Sequence, residues 1–252
     1  YLTLRVRIET KLPDLKWSLF YKIQMGRMRD FEAILMLATR HHGSRDHVLD
    51  QARNDHAVID PKSVSDDRYL SQMAQAVFSA GFSWKVIQKK WPGCEAAFDG
   101  FSPNRVAFYA DADLDRLLTD TAIVRNGQKI TATIANARFI VETAQTHGSF
   151  GAFLDTWPAN DQAGLLAHLA DHGSRLGGAT AQYFLRFSGY DAWIASKDVC
   201  AALVREGVLD RPAATSKTAL RKVETAITHW HTQSSQPRAV SSRVLALSTG
   251  PA

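Results

Sequence analysis

The sequence predicts an all-α fold, and three observations carry that expectation. Apolar residues recur at helical spacing along nearly the whole chain after residue 30, cap and stop residues bound each stripe, and no Val/Ile/Thr-rich alternation between hairpin turns occurs.

Asp30 is placed to N-cap the first well-formed helix, whose stripe Phe31, Ile34, Leu35 and Ala38 ends at Gly43. Ser65 with Asp66 and Asp67 opens the next, because early acids suit the positive end of the helix dipole. Tyr69, Met73, Ala76, Val77 and Ala80 form its stripe before Gly81 stops it. Ser83 caps a short helix through Lys90. Ser102 followed by Pro103 starts another, since proline loses nothing at the first helical position, and Asp111 caps a turn ending near Leu118. A longer helix runs from Asn126 to about Gln145 with Ile130, Ile134, Ala137 and Ile140 facing inward and Gly148 just beyond. Further helices are expected near 160–171, 179–188, 197–206, 216–232 and 238–247. Short connections and the absence of a repeat point to one or two interleaved bundles, with a cleft between residues 60–160 and the rest.

At 252 residues, 45% hydrophobic and 22% charged, the chain can bury a real core, which excludes general disorder. Thirty Lys plus Arg against 25 Asp plus Glu give a net charge of +5, which favours a polyanionic partner. Cys94 and Cys200 stand outside any C-x-x-C or Cys/His cluster, and the nine histidines, His41 and His42 included, form no Cys-paired site. No metal, no cofactor and no disulfide framework are therefore expected, and a reducing, cytoplasmic setting fits. No apolar stretch approaches the roughly 20 residues of a membrane helix, so no membrane partner is expected. Residues 1–27 carry Arg5, Arg7, Lys11, Lys16 and Lys22 against only Glu9 and Asp14. They read as a transit segment or an upstream extension, outside a domain expected over 28–252.

The segment from His172 to Leu185 reads as helix, glycine-rich turn, helix. Gly173, Gly177 and Gly178 free the backbone for positive φ and close approach, and the unpaired amides at the start of the next helix attract anions. Gly173, Ser174, Arg175, Gly177, Gly178 and Thr180 are thus candidate phosphate contacts; alternatively the glycines only let two helices cross closely. One helix and one loop later stands Ser196-Lys197-Asp198-Val199. Asp198 is a candidate carboxylate for a developing positive charge, or simply the N-cap of the following helix, and Lys197 beside it is a further candidate DNA contact.

This order of hairpin, amphipathic helix and aspartate resembles the helix-hairpin-helix DNA glycosylases. The resemblance implies that Asp198 is catalytic, stabilising the oxocarbenium-like sugar or orienting water. Family members that also cleave the backbone carry a lysine early in the post-hairpin helix, where this chain has Ala179, so a monofunctional enzyme is implied.

Upstream, Ala80-Gly81-Phe82-Ser83-Trp84, then Asp113-Leu114-Asp115-Arg116-Leu117, then Ile123-Val124-Arg125-Asn126-Gly127 with Ala135-Asn136-Ala137-Arg138, resemble DNA-3-methyladenine glycosylase I over about residues 65–190. That resemblance implies double-stranded DNA with a damaged base as partner, a monomer, and a base pocket containing Trp84, Phe82, Arg125 and Asn126. Trp84 reads equally as a core residue beside Val86 and Ile87, and Asn126 as a helix cap. The chain departs from the family at Ala76, where a pocket glutamate would fall, and at the Cys/His zinc pairs, which have no counterpart. A non-catalytic helix-hairpin-helix DNA-binding protein is the alternative.

Overall fold

The computed structural model describes residues 28–54 and 57–250; the expectation for residues 1–27 lies outside the described residues. Thirteen α-helices and two short 3-10 turns make up these residues, with no strand among them. No helix among them is long and apolar enough to cross a membrane.

Helices α1 (Phe31–His42) and α2 (Arg45–Asn54) come first, followed by α3 (Asp66–Ser79), α4 (Trp84–Ala97), α5 (Pro103–Val106) and α6 (Asp111–Thr119). The longest helix is α7 (Gly127–His147); α8 (Phe150–Thr156), α9 (Gln162–His172) and α10 (Ala179–Phe187) follow it. The chain continues through α11 (Lys197–Arg205), α12 (Lys217–Ser234) and α13 (Arg238–Leu247). The expected caps are mostly in place: Asp30 accepts from the Ala33 amide at 2.8 Å, and Gly43, Gly81 and Gly148 take positive φ at their stops. At α6 the cap is Ala110, not Asp111; the Asp113 carboxylate reaches back to the Ala110 amide at 3.1 Å.

Two groups of helices form. One gathers α3, α5, α6 and α8 around α7, with α4 on α3; the other gathers α1, α2, α11 and α12 around α13. The connecting pair is α9, which lies on α12, and α10, which crosses onto α3. A single contiguous core of buried side chains runs from Met28 to Leu247 through both groups. The outer group is tied across the chain by the Trp230 indole, which donates to the Arg29 carbonyl at 2.9 Å, and by Arg29 on the buried Glu206 carboxylate at 2.7 Å. The expected cleft between residues 60–160 and the rest opens where α10 meets α3 and α4.

Candidate functional site

A cavity of about 380 Å³ lies at that junction. Ala76, Ser79 and Ala80 form its α3 side, and Trp84 projects into it from the start of α4. Ala179, Thr180, Tyr183 and Phe187 form the α10 side; three- and four-residue spacing puts the last three on one helix face. Phe184 and Leu185, on the opposite face, are fully buried in the core. The aromatic rings make a continuous wall, with Trp84 against Phe187 at 5.2 Å between centroids and Tyr183 on Phe187 at 5.7 Å. Trp84 is only partly buried, so it is a cavity side chain and not the core residue of the alternative reading.

The α3 side is held by a residue the sequence did not single out. Lys129, 6% exposed, donates from Nζ to the carbonyls of Phe78 at 2.8 Å and Ala80 at 2.6 Å. An ammonium at the carbonyl end of α3 meets both the orphan acceptors and the negative end of the dipole. Its Nζ also lies 4.4 Å from the centroid of the Phe82 ring. Burial pushes the Lys129 pKa below its ordinary value, and the nearby positive charge of Arg175 pushes it the same way.

The hairpin side hangs on α7 as well. Asn136, fully buried, donates from Nδ2 to the Ser174 carbonyl at 3.1 Å and accepts the Ser174 amide on Oδ1 at 2.7 Å. Leu176 drops from the turn into the core. The three glycines serve different ends. Only Gly178 takes positive φ, at 58°, whereas at Gly173 a Cβ would stand 2.6 Å from Leu176 Cδ1 and 2.8 Å from the Leu169 carbonyl oxygen. Nothing comparable constrains Gly177, where an added Cβ meets only Ala170 Cβ at 4.0 Å. Arg175 adopts φ 59° without being glycine, and its guanidinium bonds the Gln128 side chain. Arg175, Gly177, Gly178 and Ala179 are exposed, while Ser174 and Thr180 are partly buried. Gly178 gives α10 no side-chain cap, which leaves its first-turn amides without a side-chain partner.

The loop from α10 to α11 is pinned by side-chain amides. Gln162 exchanges two hydrogen bonds of 2.8 Å with the Trp193 backbone, and the Ala195 amide donates to Gln182 at 2.7 Å. This fixes the start of α11, where Ser196 is the cap and accepts the Val199 amide at 3.2 Å. Asp198 is therefore not the N-cap that the plainer reading made it; it stands exposed in the first turn, beside exposed Lys197. Neither lines the aromatic cavity. Ser196 and Val199 do line a second cavity, of about 270 Å³, which shares Tyr183 with the first.

The structure divides the expected pocket residues. Trp84 lines the cavity; Phe82 is 45% exposed outside its lining, under the Lys129 ammonium. Arg125 is exposed, and Asn126 caps α7 by accepting the Lys129 amide at 3.2 Å; neither lines the cavity. Thr180, expected at the phosphates, also lines the cavity. Ser79, Tyr183 and Phe187 went unnoticed because a stripe facing a cavity has the same spacing as one facing a core.

A family model described as methyladenine glycosylase matches residues 56–172. The match starts earlier than the expected 65–190 and ends before the hairpin turn. Among curated proteins, the chain is similar to DNA-3-methyladenine glycosylase 1 of Escherichia coli, 37% identical over 75 residues. That alignment takes in 30% of this chain and 40% of the relative. DNA-3-methyladenine glycosylase of Haemophilus influenzae is 27% identical over 75 residues, with the same two shares of 30% and 40%. The chain thus spans less than half the length of the curated relatives it matches. A solved 3-methyladenine DNA glycosylase I from Staphylococcus aureus is 30% identical, with 51% of this chain and 79% of that one covered and a TM-score of 0.45. Over residues 56–172, then, the chain is similar to the methyladenine glycosylases.

Proposed function

We propose that this protein is a monofunctional DNA glycosylase, acting as a monomer to hydrolyse the N-glycosidic bond of an alkylated or otherwise damaged base in double-stranded DNA. The observation that carries the reading is the aromatic cavity beside an exposed, glycine-containing turn, both braced by one helix. A duplex base is out of reach until it is extruded, and Trp84 with Phe187 and Tyr183 offers the extruded ring a stacking wall. Stacking of this kind is worth about 1–3 kcal/mol per base. The turn, with Arg175 and the free amides of α10, suits the phosphates that position the strand.

While the base enters the cavity, its sugar stays on the strand outside. An exposed carboxylate at the start of α11 suits that place, and Asp198 takes the role of stabilising the oxocarbenium-like charge. No lysine stands at the start of α10, which favours hydrolysis over a Schiff-base lyase. The test is release of free base from methylated duplex with protein in excess. Asp198→Asn is expected to keep fold and DNA affinity and lose about two to three orders of magnitude in single-turnover rate. A normally folded variant with the wild-type rate would move the charge-stabilising role elsewhere. One observation favours a second reading, a non-catalytic helix-hairpin-helix DNA-binding protein: the cavity lining contains no carboxylate. Duplex binding without release of any base would select it.

A further inference from the structure

The second cavity is built from residues C-terminal to the stretch similar to the methyladenine glycosylases, and its chemistry differs from that of the first. Rings and small side chains wall the aromatic cavity, whereas this one is lined by two arginines, Arg186 and Arg243, and two serines, Ser196 and Ser242. No carboxylate stands among the described residues that line it.

Arg186 is the deeper of the two arginines, 4% exposed. Its guanidinium is held on two sides, Nε donating to the Ala192 carbonyl at 2.7 Å and Nη2 to the Ser242 hydroxyl at 2.6 Å. Ser242 in turn donates to the Ala239 carbonyl at 3.0 Å. A side chain fixed in this way loses little further freedom when a ligand arrives. Arg243 and Ser196 are partly exposed and Tyr183 is 40% exposed, so the cavity is reached from solvent along this side. Ser196 Oγ accepts the Val199 amide, and a hydroxyl that accepts there still has its own hydrogen to give. As the cap of the nine-residue α11, Ser196 also brings the positive end of that helix to the cavity. Guanidinium forks, a hydroxyl and a helix start together favour an anion, and the forks match the paired oxygens of a phosphate.

Tyr183 lines both cavities. With Phe187, four residues on, it faces the aromatic one, and with Arg186, three residues on, it faces the other, so it forms the ridge between them. A nucleotide can straddle such a ridge, its base on the aromatic side and its phosphate on the arginine side. We propose that the second cavity seats a backbone phosphate flanking the extruded nucleotide, with Arg186 and Arg243 as its charged ligands. The inference rests on the base extrusion of the glycosylase reading and adds a phosphate site separate from the hairpin. In an undistorted duplex every phosphate stays on the surface of the cylinder, while swinging a nucleotide out carries its phosphate off that surface and into a recess. The site therefore responds to extrusion and not to DNA as such.

The experiment measures equilibrium binding against salt for two duplexes of one sequence, one intact and one bearing a single tetrahydrofuran abasic analogue, whose unpaired site is cheaper to extrude. Arg243→Gln is expected to weaken the abasic-analogue complex about tenfold, and to flatten the slope of log affinity on log salt by about 0.9, the signature of one lost phosphate contact. Binding of the intact duplex should stay unchanged. Arg243→Lys keeps the charge and should keep the slope. Ala246→Glu, which adds a carboxylate to the cavity wall and removes no arginine, should give the same selective loss, and it carries the test if melting curves show Arg243→Gln to be unfolded. Unchanged binding of the abasic-analogue duplex by a folded variant would overturn the inference, as would an equal loss on both duplexes, the mark of a general backbone contact. If inorganic phosphate stabilises the DNA-free protein through Arg243 while DNA binding does not depend on it, the cavity serves a free phosphate ligand and the inference also falls. Because binding is read without any base being released, a selective loss alongside no release from methylated duplex would overturn the catalytic reading and leave this site standing.

Discussion

The two walls of the cleft are the same kind of segment, a chain reversal between helices, yet α7 holds them in different ways. At the α3–α4 turn it supplies the Lys129 ammonium; at the hairpin, two turns further along, it supplies the Asn136 amide. The backbone groups awaiting a partner explain the choice. A helix C-terminus presents only carbonyls, which a cation satisfies best, whereas Ser174 presents an N–H and a C=O together, which the two ends of one side-chain amide match. Both bracing side chains are polar and buried, so hydropathy alone would have placed neither of them there.

The comparison breaks most visibly at Asn136. Asn136→Leu leaves the Ser174 N–H and C=O without partners, and denaturant unfolding is expected to show a loss of about 3 kcal/mol. If the hairpin holds phosphates as proposed, duplex affinity should fall to a similar extent on every sequence, since phosphate contacts carry no base information. Lys129→Met should cost somewhat less, about 2 kcal/mol, because removing the charge also removes its desolvation. Here base release should fall while duplex binding is largely kept, the reverse weighting from Asn136→Leu. If both variants lose binding and release in the same proportion, the two walls are not separate functional units.

Within the hairpin the glycines grade the effect. Gly178→Ala, at φ 58°, is expected to cost about 1 kcal/mol in thermal melts, whereas Gly177→Ala should be close to neutral. The smallest effect is expected from pH. His168 stacks on His172 at 4.1 Å just before the hairpin, and burial together with the His172 charge holds its pKa below the ordinary 6.5. Between the native pKa and 6.5 the unfolded chain binds more protons, so this contribution to stability shrinks as pH falls through that range. Once the intrinsic pH dependence of amide exchange is divided out, protection should fall at residues 173–178 on mild acidification and stay unchanged at 80–83.

Much of the helical order was legible because capped stripes are local signals. Helix α2 escaped because only Val48, Leu49 and Ala52 of it are buried among polar neighbours. α8 escaped because it is short and carries Gly151 in its first turn. The short helix expected from Ser83 through Lys90 runs on past Pro92 and Gly93 to Ala97. Gly93 packs so tightly on Ala122 that a Cβ would lie 2.7 Å from its carbonyl oxygen, and the Trp91 ring stacks on Phe101 at 5.3 Å; these contacts keep the helix going past the proline. Trp84 was legible through the block around it, and the hairpin through its glycines. Lys129 and Asn136 were not, because their partners lie 49 to 51 and 38 residues away and nothing near them in sequence announces the pairing.

That one helix braces both walls also fixes the width of the opening. Lys129 and Asn136 are two turns apart, about 10 Å along the same helix. Two walls bolted to the same beam cannot swing toward each other, so the aperture behaves as a fixed gauge and not as a jaw. On the proposed glycosylase reading, the deformation needed to bring a base into it then falls on the softer body, the DNA. Sequences that kink and unstack readily should therefore be served faster than stiff ones carrying the same lesion.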